Sequence, residues 1–120
     1  MIENWIEEIK ASAPPDELGM ILVHHGLVRG TDKQGRKVAG MNLTYNREAL
    51  KQIMADFERR EGIVALRVWI NEGYLKVGDE IMKVLVAGRF RTDVLPAFEE
   101  LVRLIKTRVV SEREISPPDP

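Results

Sequence analysis

In Gly88–Glu114, GRFRTDVLPAFEELVRLIKTRVVSERE, one well-patterned helix is set among basic side chains. Thr92 or Asp93 is placed to cap its first turn, and Pro96 falls early enough to remove no needed hydrogen bond. Val94, Leu95, Phe98, Leu101, Val102 and Ile105 recur at helical spacing and predict one stripe facing a core. Glu99 and Glu100 precede Arg103, Lys106 and Arg108, the order that complements the helix dipole. Lys106 lies about 80° from the centre of the stripe, on its border. Two readings of a border lysine are open: an aliphatic stem lying on apolar surface with its head in water, or a partly desolvated amine suited to acid–base or anion chemistry.

Working outward, 120 residues predict a single domain, 1–120, long enough for a real core. Lys plus Arg total 18 against 19 Asp plus Glu, so the net charge of −1 offers no general attraction for nucleic acid or anionic lipid. Any anion site must then be a local cluster. The chain has no cysteine, which excludes disulfides, thiolate metal sites and chemistry on a thiol of its own. No apolar run approaches a membrane span, and the opening MIENWIEEIK is acidic where a signal peptide is basic, so a cytoplasmic protein is expected.

Ile2, Trp5, Ile6 and Ile9 predict an amphipathic helix stopped at Pro14-Pro15. Gly19–Arg29, GMILVHHGLVR, reads as a central strand buried on both faces, with Gly26 marking a bulge or close approach. Gly30–Arg36 is polar with two glycines and predicts an exposed, mobile loop. Ala39, Met41, Leu43 and Tyr45 alternate with Gly40, Asn42 and Thr44, the period of a half-exposed strand. Asn46 caps a second helix with Leu50, Ile53, Met54 and Phe57 on one face, and Gly62 stops it. Ile63–Ile70 is a further strand, after which Tyr74–Val77 and Glu80–Ala87, joined by Gly78-Asp79, predict an antiparallel hairpin. Ser116–Pro120 reads as a frayed tail. The order αββαβββα points to an α+β fold, a sheet with helices on one side, and away from a doubly wound nucleotide fold.

Phosphate loops, HExxH, GxSxG and EF-hand patterns are absent. His24 and His25 are adjacent in a strand, so they face opposite sides and are read as structural, not as a metal pair. Asp79-Glu80 reads as a turn and Trp69 as core. What remains is basic: Arg29 closing a strand, Arg91 ahead of the last helix, Lys106 on it and Arg113 beyond it. If these converge, the arginines give bidentate contacts to a phosphate or carboxylate and the lysine a point charge. Four dispersed surface cations are the alternative.

Three runs, Gly26-Leu-Val-Arg29, Gly73–Glu80 and Leu104–Arg108, resemble those of the molybdopterin synthase catalytic subunit, the MoaE family. Gly26-Leu-Val-Arg29 is similar to the family's Gly-x-Val-Arg strand end, Gly73-Tyr-Leu-Lys-Val-Gly-Asp-Glu80 to its Gly-Glu-Leu-x-x-Gly-(Asp/Glu) hairpin, and Leu104-Ile-Lys-Thr-Arg108 to a helix end bearing a catalytic lysine. The resemblance spans about Gly19 to Arg113 and implies an α/β-hammerhead-like fold with a mixed or antiparallel sheet. It also implies molybdenum cofactor biosynthesis: transfer of sulfur from a ubiquitin-like small subunit, thiocarboxylated at its C-terminal Gly-Gly, to cyclic pyranopterin monophosphate. It implies a homodimer within a heterotetramer, no metal and no cofactor. By position, Lys106 is implied as the catalytic lysine and Arg29, Arg91 and Arg113 as substrate-binding residues. The lack of cysteine agrees, since sulfur then arrives from outside.

The departures from the family pattern are specific. Phe90 stands where the family has the histidine of a His-Arg pair, Ile70-Asn71 where many members have His-Arg, and Val110-Ser-Glu-Arg-Glu114 replaces a Pro-x-Trp-Lys-(Lys/Arg)-Glu run. Arg113 there keeps a charge but does not deliver a proton at ordinary pH. A noncatalytic module binding a ubiquitin-like tail or a phosphorylated small molecule is the alternative these departures favour.

Overall fold

The computed structural model describes residues 1–118. Its elements are α1 (Ile2–Ser12), β1 (Met20–Leu27), β2 (Gly40–Tyr45), α2 (Arg47–Glu58), β3 (Ile63–Ile70), β4 (Gly73–Lys76), β5 (Glu80–Gly88), α3 (Arg91–Leu104) and β6 (Val110–Ile115), with a π-helical turn, Ile105–Val109, between the last two. One antiparallel sheet has the order β1-β5-β3 and the other β4-β2-β6. The α+β expectation holds, with β6 added to the predicted order.

β5 is paired on both edges, and Met82, Val84, Leu85, Val86 and Ala87 are wholly buried. Its alternate residues serve two layers. Leu85 and Ala87 pack with Ile9, Trp5 and Ile6 of α1, while Met82, Val84 and Val86 join Val94, Leu101 and Ile105 of the α3 segment and Phe57 of α2. Helices therefore cover both faces of this sheet, not one, because a strand apolar on both sides requires a partner on each.

The central place belongs to β5 and not to β1. β1 is an edge strand whose Val23 and Leu27 are exposed at 37% and 51%. The expected bulge is present, as a shift of register between Gly26 and Leu27. The expected β4–β5 hairpin is not: β4 pairs with β2 in the other sheet. The backbone groups around their turn are taken by Val28, whose N–H donates to the Asp79 carbonyl (2.9 Å) and whose carbonyl accepts from Gly78 N–H (2.8 Å). Gly78, at φ 89°, supplies the left-handed step that lets the chain leave one sheet for the other.

The second sheet turns one face to the same core. Met41, Leu43 and Leu75 on that face are 5%, 1% and 3% exposed. β6, unforeseen because VSEREI is mostly polar, forms by pairing along β2 from Gly40↔Ile115 to Tyr45↔Val110. Of the tail expected at Ser116–Pro120, residues 116–118 have no regular structure and Asp119 and Pro120 lie outside the described residues.

Asn46 caps α2 as expected, its Oδ1 accepting from Ala49 N–H at 3.0 Å. In α3 neither Thr92 nor Asp93 is the cap. Phe90 holds that position, and Asp93 instead accepts from Arg89 Nε at 2.9 Å. Starting at Arg91, the helix has Pro96 inside it, so one intrahelical hydrogen bond is missing after all. The stripe is confirmed at Val94, Leu101 and Ile105, whereas Leu95 is 39% exposed. Leu101→Ala is accordingly expected to lose about 2–5 kcal/mol of unfolding free energy and Leu95→Ala less than about 1 kcal/mol, measured by urea denaturation. Equal losses would place the core contact of α3 elsewhere.

Candidate functional site

Where the two sheets meet, a cleft of about 230 Å³ opens between the end of β1, the loop after it, the π-helical turn and β6. Its apolar wall is Leu27, Met41 and Ile81, its cations are Arg29, Lys33 and Lys106, and its acids are Asp32, Glu112 and Glu114.

Each charged group is placed by local structure. Ile105 and Val109, four residues apart and 0% and 3% exposed, pin the π-helical turn, so that Lys106 between them emerges at the core's edge with its side chain 38% exposed. A widened turn at a helix end is a common functional device. On β6 the register sets Glu112 opposite Leu43 and Glu114 opposite Met41, so alternation sends both acids to the inner face of the sheet. Arg113 pairs with Asn42 on the other face.

Lys106 Nζ donates to Glu112 Oε1 at 2.7 Å, forming an ion pair in the cleft. The loop carrying Lys33 is exposed, as expected, but well knit. The Asp32 carboxylate accepts from the N–H groups of Gln34 and Arg36 and from Arg36 Nε, each at 2.9 Å. These bonds, that from the Arg36 backbone first, hold the Asp32 carboxyl below its usual range. Among the described residues Arg29, by contrast, makes only a 3.4 Å side-chain contact, from Nη2 to Thr31 Oγ1.

Of the four basic residues singled out from sequence, Arg29 and Lys106 therefore share the cleft. Arg91 begins α3, about 22 Å from Lys106 along the helix axis at 1.5 Å per residue. It flanks exposed Phe90, at 61%, and Leu95. Arg113 points away from the cleft of its own chain.

His24 is a group that strand alternation alone did not single out. It lies on the α3 side of β1, where its Nε2 is buried with no hydrogen-bond partner among the described residues. A Cβ at position 26 would stand 3.1 Å from this nitrogen, so Gly26 leaves the imidazole its room. Burial first, then the charge of Lys106, then that of His25, hold His24 below its ordinary value. His25 faces the other way, its Nε2 3.3 Å from Glu80 Oε1. Among the described residues no three His, Asp or Glu side chains stand close enough together to hold a metal ion. A wider groove of about 490 Å³ along α2 contains none of the four basic residues, and its Arg47 is engaged with the Tyr45 ring at 4.4 Å and with Glu72 at 3.0 Å.

A family model described as the MoaE protein matches residues 3–108. The chain belongs to the MoaE family. The MoaE fold is seen in molybdopterin synthase from Staphylococcus aureus, which is 20% identical with a TM-score of 0.75 over 95% of this chain and 85% of that one. The molybdopterin biosynthesis MoaE protein from Burkholderia ambifaria is 23% identical with a TM-score of 0.75, over 96% and 82% of the two chains. A complex of subunits 1 and 2 of molybdopterin-converting factor from Helicobacter pylori contains a chain 17% identical, with a TM-score of 0.74 over 98% and 82%. In sequence, an uncharacterized protein of Methanocaldococcus jannaschii is 26% identical over 88% of this chain and 87% of its own length. No described helix of this MoaE chain is long and apolar enough to cross a membrane.

The depressed His24 value has a consequence for stability. Between the folded value and 6.5 the unfolded chain binds more protons, so this contribution is whole above about pH 6.5 and is lost as pH falls through the folded value. In His24→Leu the drop in unfolding free energy between about pH 7.5 and about pH 5.5 should be smaller than in the unmodified protein. Parallel drops in urea denaturation would remove His24 from the acid response.

Proposed function

We propose that this MoaE-family protein acts in molybdenum cofactor biosynthesis as the large, catalytic subunit of a molybdopterin synthase. It transfers sulfur from the C-terminal thiocarboxylate of a ubiquitin-like small subunit to cyclic pyranopterin monophosphate. The observation that carries the reading is the meeting of Arg29 and Lys106, from opposite ends of the chain, in one cleft of a MoaE-family fold. A small-subunit partner is supported by the Helicobacter pylori relative, whose structure is a two-subunit complex.

Arg29, with Lys33 beside it, holds the substrate phosphate, and Lys106 engages the terminal carbonyl of the donor tail as hydrogen-bond donor and proton source. Each donor passes its sulfur to the substrate, and hydrolysis of the acyl–sulfur bond by water leaves it as a carboxylate, so a dithiolene draws on two donors. The chain contributes no sulfur, having no cysteine. Arg91 lies outside its own cleft and acts from the second protomer of a homodimer, for which the exposed Phe90 and Leu95 beside it provide apolar contact surface. Arg113, on the outer face of β6, holds substrate or partner by the same route. The assembly is a cytoplasmic heterotetramer.

The noncatalytic alternative is favoured by one observation, the apolar Phe90 where the family has a histidine. Mixing the chain with thiocarboxylated small subunit and cyclic pyranopterin monophosphate should yield the dithiolene. Lys106→Ala is expected to slow this by at least about 100-fold without unfolding the protein. Partner binding without product from the intact chain would establish the noncatalytic module instead. Lys106→Ala and Arg91→Ala proteins, each inactive alone, should recover about a quarter of the intact activity when their protomers are reassorted, as a site shared between protomers requires. No recovery would put Arg91 outside the reaction.

A further inference from the structure

The ion pair inside the cleft has an unusual origin. Glu112 occupies a position on β6 opposite Leu43, where the alternation that buries Met41 and Leu43 would put an apolar side chain. Although the edge backbone there is open to water, the Glu112 side chain is only 23% exposed and reaches Lys106 at 2.7 Å. Arg29 and Lys33, which also line the cleft, have no carboxylate within ion-pair distance among the described residues, and Asp32 is already engaged by Arg36. One cation is thus filled by the protein's own carboxylate while two are left for a ligand.

We propose that Glu112 is a resident competitor that sets the specificity of Lys106: an anion reaches this lysine by exchange with the Glu112 carboxylate, not by addition to an open cation. The exchange breaks one ammonium–carboxylate hydrogen bond and makes another, and the cleft gains the charge of the incoming anion. The displaced Glu112 remains on β6 beside the ligand, and its negative charge opposes a dianion more than a monoanion. Lys106 therefore selects a monoanionic carboxyl-type terminus, and Arg29 and Lys33 are the pair open to a phosphate. That the terminus belongs to a sulfur-donor tail rests on the function proposed above; the exchange itself does not.

The test uses the whole chain and needs no partner. The lysine side-chain NMR signal of Lys106, assigned by its loss in Lys106→Ala, is followed during titration with acetate and, separately, with inorganic phosphate. Glu112→Gln, which keeps size and removes the competing charge, should lower the acetate midpoint at Lys106 by about tenfold, while phosphate perturbs Lys33 at lower concentration than Lys106. In the unmodified protein the Glu112 carboxyl signal should move to that of a solvated glutamate as acetate saturates Lys106, a readout independent of how well the variant folds. Unchanged or higher acetate midpoints in Glu112→Gln, saturation of Lys106 with Glu112 unmoved, or no acetate response at Lys106 in either protein would each overturn the proposal. Absence of turnover in the sulfur-transfer assay, with the exchange intact, would instead overturn only the function.

Discussion

The burial of β5 on both faces from Val84 to Gly88 is the constraint from which the rest of the molecule follows. A strand with no water on either face must have both backbone edges paired and both side-chain faces covered. β1 and β3 take the edges, α1 takes one face, and α2 and α3 take the other. Nothing of β5 remains for β4, which is why a chain segment that reads as half of a hairpin crosses into the second sheet. The cleft exists because of that crossing: Ile81, at the start of β5, sits at the junction with Met41 of β2.

The same crossing shapes the chemistry. With its inner face turned toward a shared core, the second sheet sends Val110, Glu112 and Glu114 of β6 inward; Val110 packs on the core, and the two acids line the cleft with Lys106. Three cations and three acids line one small cleft of a chain whose net charge is −1. Such a site does not gather anions by its overall field. Its cations are unequally committed, Lys106 held by Glu112 and Arg29 in contact with Thr31. His24, below the same turn with a nitrogen unpartnered among the described residues, adds a neutral group whose protonation would bring one more positive charge close to Lys106.

Membership of the MoaE family joins this geometry to molybdenum cofactor biosynthesis, yet the solved relatives share only about a fifth of their residues with the chain while keeping its fold. What survives such divergence is the burial pattern, since many apolar residues satisfy a core of given volume. A site has no such latitude, because its function rests on particular groups at particular distances.

Local pattern by itself determined the helices, the strand count up to β5, the Asn46 cap and the bulge at Gly26, because periodicity and backbone permissiveness act within a few residues. It also marked Arg29 and Lys106, each at the end of an apolar element and so at the border of a core. Tertiary structure alone decided which strand is central, since an apolar run such as GMILVHHGLV looks the same at a sheet's edge as at its middle. It alone made a strand of VSEREI, whose polar residues become β6 only through the ladder with β2, and thereby turned Glu112 inward and Arg113 outward. Pairing between distant segments sets which face a side chain takes, and a shift of one residue reverses it; no count along the chain carries that information.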